Sequence, residues 1–311
     1  RPAGPVRVGA IVFAENEWSR EIHSGLVLGR DRAREELGVE VEMEVEHHQF
    51  DLAREIALID RFLAGGVDAL VISPCDLQAS VPKLREAHER GVAVVCVGTS
   101  INLRDAARYA AAIYESDQFE LGYRTGYYLA QWLADRGLDG DTLDLGIVQC
   151  ERFEQCYQRG RGFRAALRNT GVRWREVSNV EGLVLEQAER RAEAMLRAHP
   201  EILVVFTEHD ESTRGAVEAV RRLGLAGKVF VFGTDFAASI AQMLECDDDV
   251  LQAATGQQAR RMGADGVLDA VRRVLGRDVG PLHKVLASPL YTREPWHAEA
   301  LRAWTREEER T

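Results

Sequence analysis

The sequence predicts an α/β fold of two doubly wound lobes, each a parallel sheet covered on both faces by helices. Three observations predict it. The chain has 311 residues, too long for one ordinary domain and right for two of roughly 150. Short β-branched runs alternate with amphipathic segments along its length, which is the pattern of parallel strands joined by helical crossovers. One motif is also written twice. Val8-Gly9-Ala10-Ile11-Val12-Phe13 runs into Ala14-Glu15-Asn16-Glu17-Trp18, and Leu145-Gly146-Ile147-Val148 runs into Gln149-Cys150-Glu151-Arg152-Phe153. Each copy ends an apolar strand in polar and aromatic residues and opens its own series, so a cleft is expected where facing strand ends meet.

In the first series, strands are predicted over 6–13, 39–46, 69–73, 93–97 and 110–113, and helices over 20–36, 52–64 and 77–90. The first helix shows an apolar face through Ile22, Leu26, Leu28, Ala33 and Leu37, near the 3.6-residue period. Gly38, Gly66 and Gly91 fall where helices stop, as left-handed C-cap positions require. Asp51 and Asp76 precede helical runs as N-caps. Asp117 opens a long helix over 118–136. The second series reads strand 143–148, helix 156–169, strand 173–177, helix 185–198, strand 203–207, helix 211–223, strand 229–233, helix 238–245 and strand 250–254. A helix over 260–275, a strand over 284–287 and a helix over 295–306 complete the chain. Right-handed crossovers wind each half doubly. Ligands of such sheets bind beyond the carboxyl ends of the strands, so those residues are where function is sought.

Composition narrows the classes. With 46% hydrophobic residues and charges spread throughout, the chain is globular. A formal net charge of -11 argues against gripping nucleic acid or an anionic membrane and leaves a small neutral or cationic ligand open. No apolar stretch approaches the roughly 18 residues of a membrane span. The five cysteines, Cys75, Cys96, Cys150, Cys156 and Cys246, show no metal-ligand spacing, so neither a metal nor a cofactor is expected. Cys150 and Cys156 lie six apart at a strand-to-helix junction, which permits a disulfide and leaves it open.

The strand ends share one chemistry. After the first strand stand Glu15, Asn16, Glu17 and Trp18, an amide beside an aromatic. A sugar suits that pair, its C–H face stacking on the ring while hydroxyls bond the amide. After the fourth come Gly98, Thr99, Ser100, Ile101 and Asn102. In the second series Phe153 leads a helix carrying Arg159, whose guanidinium is a fork of fixed donors for vicinal hydroxyls. His209 and Asp210 follow another strand, and Asp210 reads as a helix cap. Asp235 beside Phe236, and Gln257 after Thr255-Gly256, complete the set. Each position alone suits a solvated loop or cap. Together, amides, a carboxylate, a guanidinium and aromatics point to a polyhydroxylated ligand.

Val204-Val205-Phe206-Thr207-Glu208-His209-Asp210 with Gly215-Ala216, and Val231-Phe232-Gly233-Thr234-Asp235, are the most specific stretches. Val94-Val95-Cys96-Val97, Tyr114-Glu115-Ser116-Asp117 and Arg159-Gly160-Arg161-Gly162-Phe163 support them. On these, the chain resembles the periplasmic-binding-protein type I superfamily over about residues 6–291. It is most similar to ribose/galactose-type sugar solute-binding proteins of ABC importers, whose core is shared with LacI-type effector domains. The resemblance implies two Rossmann-like lobes joined by a three-strand hinge, an N-terminal lobe of 1–115 plus 258–287 and a C-terminal lobe of 116–257 plus 288–311. It implies ligand contacts from Asn16, Trp18, Arg159, His209, Asp235 and Gln257, with His209 where asparagine is usual, and the strand-end reading adds Glu15, Thr99 and Phe153 as candidate contacts. It further implies hinge closure on a sugar, polyol or amino sugar and delivery to ABC permease subunits. A periplasmic or lipid-anchored extracellular monomer follows, with no enzymatic activity and no nucleic-acid partner. A ligand-sensing domain of a LacI-like regulator or signalling receptor is the alternative.

Departures from the family pattern bear on specificity. Gly98-Thr99 stands where an Asp-Arg pair is common, Ser19 replaces a second stacking aromatic, and Leu183 aligns near another. Ordinary ribose or galactose is therefore not expected to bind in the usual way. Glu15, Glu17 and Glu208 are expected to add negative charge at the mouth, favouring an amino sugar or other cationic polyol.

Overall fold

A computed structural model describes residues 4–98 and 102–302. In chain order the elements are β1 (Val6–Val12), α1 (Glu17–Arg32, continued by a π-helical turn Ala33–Leu37 that ends at Gly38), β2 (Val41–His47), α2 (Leu52–Gly65), β3 (Ala69–Ile72), α3 (Val81–Glu89), β4 (Ala93–Val97), α4 (Leu103–Ala106) and β5 (Ala110–Ser116). There follow α5 (Gln118–Asp135), β6 (Leu143–Gln149), α6 (Glu154–Thr170), β7 (Trp174–Glu181), α7 (Leu185–Ala198), β8 (Val204–Thr207), α8 (Asp210–Arg222), β9 (Phe230–Thr234), α9 (Ala238–Glu245) and β10 (Leu251–Thr255). Last come α10 (Ala259–Val274), β11 (His283–Leu286) and β12 (Leu290–Thr292). The chain divides into two compact units, residues 4–116 with 258–287 and residues 117–257 with 288–302. It passes from one to the other after Ser116, Gln257 and Ala287.

The first unit holds one sheet in the order β11-β5-β4-β3-β1-β2, parallel at every pairing. Alternation along β1 explains its two-sided burial. Val6, Val8, Ala10 and Val12 pack with Ile22, Leu26, Met262, Val267 and Val271 of α1 and α10. Ile11 packs the other way with Ile59 and Phe62 of α2 and Leu84 of α3. Each such fully buried aliphatic side chain contributes about 1.5–3 kcal/mol relative to exposure. The second unit repeats the plan in the order β12-β10-β9-β8-β6-β7. Trp132 of α5 and Phe163 of α6 lie on one side of it with Phe206 and Phe232, while α7, α8 and α9 cover the other.

A close helix contact of one kind recurs inside each unit. A Cβ at Gly25 of α1 would collide with the Arg260 carbonyl on α10, and one at Gly122 of α5 with the Arg159 carbonyl on α6. Glycine at these two places lets paired helices meet backbone to backbone. That contact sets the position of α6, and with it the start of the arginine side chain discussed below.

Several expectations need correction. The short helix α4 was not expected. The third helix of the first unit starts at Val81, with Pro82 in its first turn, rather than at 77. Asp76 caps no helix; its Oδ1 accepts from the backbone N–H of Gln78 (2.8 Å) and Ala79 (2.7 Å), forming a turn. Asp210 is the first residue of α8, and His209 is its N-cap. The second sheet is not wholly parallel, because β12 runs antiparallel on β10. This three-residue strand follows β11 with no intervening helix, and a parallel strand needs such a crossover. At the C-terminus Pro295–His297 form a 3-10 turn leading to helical residues 298–302, and the rest of the helix expected over 295–306 lies outside the described residues.

Candidate functional site

In the second unit, four side chains at the carboxyl ends of the strands close a ring of hydrogen bonds. Arg159 Nε donates to Gln118 Oε1 at 2.8 Å, and its Nη1 donates to Asp235 Oδ2 at 2.7 Å. Gln257 Nε2 donates to Asp235 Oδ1. Gln118 Nε2 donates to Gln257 Oε1 at 3.1 Å, completing the circuit. Both amides are thereby oriented without ambiguity, each carbonyl accepting and each NH2 donating. Arg159 Nη1 also donates to the Glu208 carbonyl at 2.7 Å. Of the five N–H bonds of a guanidinium, three are thus engaged within the protein, and the pair on Nη2 stays available to a ligand.

This arrangement is costly in stability. The Arg159 and Asp235 side chains are 5% and 9% exposed. Buried ion pairs seldom stabilise a fold relative to apolar residues, yet removing one partner costs about 3–5 kcal/mol because the other charge is left unpaired. Asp235 also takes a left-handed backbone, φ 69°, which a non-glycine residue adopts only under constraint. Strain and buried charge at one strand end are features of a binding site more than of a structural corner.

His209 stands beside this ring at the N-cap of α8. Its Nε2 faces the Leu183 carbonyl at 3.2 Å and therefore carries the proton, which leaves Nδ1 as an acceptor. Nδ1 is buried without a protein partner. Burial pushes the imidazole below its ordinary pKa, against the opposing pull of Leu183 and Asp235. Glu208 is fully buried, its Oε2 accepting from the Cys150 N–H at 3.0 Å. Burial and the nearby Glu151 carboxylate push its carboxyl up to about 8. The expectation that Glu208 adds negative charge at a mouth is therefore corrected: the group is fully buried, and its surroundings favour the neutral acid. Cys150 and Cys156, left open by the sequence, are joined in a disulfide with Cα atoms 5.4 Å apart. Their sulfurs and a Glu208 oxygen come within 4.8 Å of one another, but the sulfurs are committed to each other.

The first unit presents a different strand-end surface. Asn16 caps α1, its Oδ1 accepting from the Ser19 N–H at 2.8 Å. The Trp18 ring lies 5.3 Å from Phe13, which stacks at 5.3 Å on Phe50 and meets His48 edge-on at 5.4 Å. His48 is fully buried and fixed by Ser73 O on Nε2 (3.0 Å) and the Phe50 N–H on Nδ1 (3.1 Å). Gly98, with φ 79°, ends β4 directly under Trp18, and any Cβ there would collide with the indole. The indole Nε1 is buried without a partner.

The structure brings Arg159, Asp235 and Gln257 together, sets His209 beside them, and places Asn16 and Trp18 at the end of β1. Glu15 is exposed, and Phe153 is 47% exposed at the N-cap of α6, outside the ring. Thr99 lies outside the described residues. Sequence reasoning missed Gln118, Phe13, His48 and Phe50. Gln118 directly follows the helix cap Asp117, and in the sequence it carries no signal beyond a polar first-turn residue. The signal for Phe50 is an aromatic directly before the Asp51 cap, just beyond the end of β2.

Two doubly wound units linked by three chain passages, with polar and aromatic residues at their strand ends, define a solute-binding architecture. The family model described as periplasmic binding protein domain matches residues 14–278, and the chain belongs to that family. The ABC transporter periplasmic-binding protein YphF of Escherichia coli is 31% identical over 273 residues, 87% of this chain and 82% of that protein. The D-ribose/D-allose-binding protein of Pseudomonas aeruginosa is 30% identical over 231 residues, 73% of this chain and 69% of that one. A solute-binding protein of Actinobacillus succinogenes solved with D-allose superposes with a TM-score of 0.81 at 19% identity, covering 96% of this chain and 99% of its own. One from Bacillus halodurans, solved with myo-inositol, gives 0.80 at 18% identity, covering 98% and 99%. Three of these four are named as solute- or periplasmic-binding proteins of ABC transporters, and the Pseudomonas protein as a sugar-binding protein. Among the described residues, no helix is long and apolar enough to cross a membrane.

Proposed function

We propose that this chain is the solute-binding component of an ABC importer and binds a neutral sugar or polyol, which it delivers to permease subunits outside the cytoplasm. The hydrogen-bonded ring of Arg159, Asp235, Gln257 and Gln118 carries this reading. A preformed guanidinium–carboxylate pair offers donors and acceptors at the spacing of vicinal hydroxyls, and fixing it in advance removes an ordering cost from binding. Asn16 and Trp18 are the contacts proposed from the first unit, the indole taking a C–H face and its unpartnered Nε1 a hydroxyl. His209 Nδ1 is proposed to accept from another. The neutral Glu208 removes one of the three reasons for preferring an amino sugar, so an uncharged polyol is favoured. The matched relatives named for ribose, allose and inositol support the ligand class. No chemical step is assigned; the site binds and releases.

A thermal-shift screen of D-ribose, D-allose, D-galactose, myo-inositol and glucosamine tests the reading, since a ligand specific for the native state raises the melting temperature. A rise with a neutral sugar or polyol is expected. A rise with glucosamine alone, or with none of the five, contradicts it.

A further inference from the structure

Arg159 is held by groups that lie outside the proposed ligand contacts. The Glu208 backbone carbonyl accepts from Arg159 Nη1 at 2.7 Å, and the Glu208 carboxyl accepts from the Cys150 N–H at 3.0 Å. Cys150 follows β6, Cys156 sits in the first turn of α6, and a disulfide joins them. Arg159 is one turn further along the same helix. Glu208 at the end of β8 is therefore tied to the loop before α6 by its side chain and to α6 itself by its carbonyl, while the disulfide locks that loop to the helix.

The carboxyl of Glu208 is in unusual surroundings for an acid. Its Oε1 is fully buried and receives no N–H donor, and as a protonated acid it hydrogen-bonds the Glu151 carboxylate. It gathers with Glu151 Oε1 and Arg164 Nη1 over Gly160, where a Cβ would lie 2.5, 2.9 and 2.7 Å from these three atoms. The charged groups around it are Glu151 from the loop after β6, Arg164 and Arg159 from α6, and the titratable His209 next in sequence. Arg164 is shared, binding Glu151 at 2.9 Å and Glu176 of β7 at 2.7 Å, so its charge is already balanced twice. A second carboxylate in this pocket would be desolvated beside a like charge, which favours the neutral acid.

We propose that Glu208 is a neutral positioning residue which, together with the Cys150–Cys156 disulfide, fixes the start of α6 to the end of β8 and so holds Arg159 ready for ligand. Ionisation of Glu208, or opening of the disulfide, frees Arg159 and weakens binding. The pKa direction of Glu208 agrees with the geometry. The part of the proposal that concerns binding rests on Arg159 being a ligand contact; the positioning part does not.

The test has two readouts on the whole chain. The first needs no ligand: the side-chain Nε–H of Arg159, which donates to Gln118, followed by 15N NMR and assigned with R159K. Glu208→Gln keeps the neutral shape and is expected to protect this N–H as the wild type does at pH 7. At pH 9 the wild type is expected to exchange it at least tenfold faster than Glu208→Gln at the same pH. Dithiothreitol, which supplies two electrons and two protons to turn the S–S bond into two thiols, is expected to have the same effect at pH 7. Circular dichroism confirms that each form stays folded. The second readout is calorimetric titration with D-allose, in which wild-type affinity falls at least fivefold from pH 7 to pH 9 and that of Glu208→Gln does not. Loss of protection in Glu208→Gln at pH 7, or protection indifferent to both pH 9 and reduction, overturns the proposal. Absence of D-allose binding with the NMR result as expected counts against that sugar as the solute, and the positioning role stands.

Discussion

The two units share a plan and differ in what their strand ends offer. Strand order, the winding around the first strand and the glycine-mediated helix contact recur in both. Yet the second unit ends its strands in a closed polar ring, while the first ends them in an aromatic group of Phe13, Trp18, His48 and Phe50. A repeated fold thus fixes where side chains appear and leaves their chemistry free. In the proposed function, hydroxyl recognition falls mainly to the second unit and shape to the first. The sixth strand differs as well, parallel in the first sheet and antiparallel in the second.

The contrast can be broken most forcefully at the ring. Asp235→Ala leaves the Arg159 guanidinium buried without its carboxylate, a loss of about 3–5 kcal/mol, and is expected to abolish any ligand-dependent rise in melting temperature. If the rise survives, the second unit is not the polar half. In the first unit the matching test is steric. Gly98→Ala puts a methyl group into the Trp18 ring at a position with φ 79° and is expected to cost roughly 1–3 kcal/mol of stability, measured by urea unfolding. A neutral result would mean that the indole is not held against β4.

Glu208 sharpens the comparison through pH. The unfolded carboxyl releases its proton near 4.5, whereas the folded one keeps it until about 8. The folded state therefore binds more protons across that interval, and stability falls as pH rises from about 4.5 to 8, then levels. Glu208→Gln removes this dependence. It is expected to match the wild type near pH 4 and to exceed it by about 1–3 kcal/mol at pH 8. Equal stabilities at pH 8 would mean that the acid is not held neutral. The smallest effect is expected at Phe50, which is 57% exposed. Phe50→Ala should change stability by about 1 kcal/mol or less, the scale of one aromatic contact, and weaken ligand binding only if the ring touches the ligand.

Much of the fold was legible because its signals are local. Strand and helix periodicity, the caps Asp51 and Asp117, and the stops at Gly38 and Gly66 are decided within a few residues, and all four residues do what their types predict. The caps that failed show the limit of that logic. Asp76 has the right chemistry for a cap, but its oxygen is satisfied by two backbone N–H groups of a turn before any helix begins. The roles of Glu208 and Gln118 were not legible for a related reason. Whether a carboxyl is buried, and which amide closes a ring, depend on residues 40 or more positions away, such as Gln118 with Arg159 and Cys150 with Glu208. The disulfide stayed open in the sequence because spacing sets only what is reachable. The strand β12 was hidden by its length of three residues.

The Arg159–Asp235–Gln257–Gln118 ring is proposed to bind a neutral polyol. Calorimetric titration of wild type, Asp235→Ala and Gln118→Ala with the sugar giving the largest thermal shift tests it most directly. The wild type is expected to bind one equivalent, Asp235→Ala to show no measurable binding, and Gln118→Ala to lose roughly tenfold, the scale of one hydrogen bond to a charged group. Unchanged affinity in Asp235→Ala would contradict the claim outright.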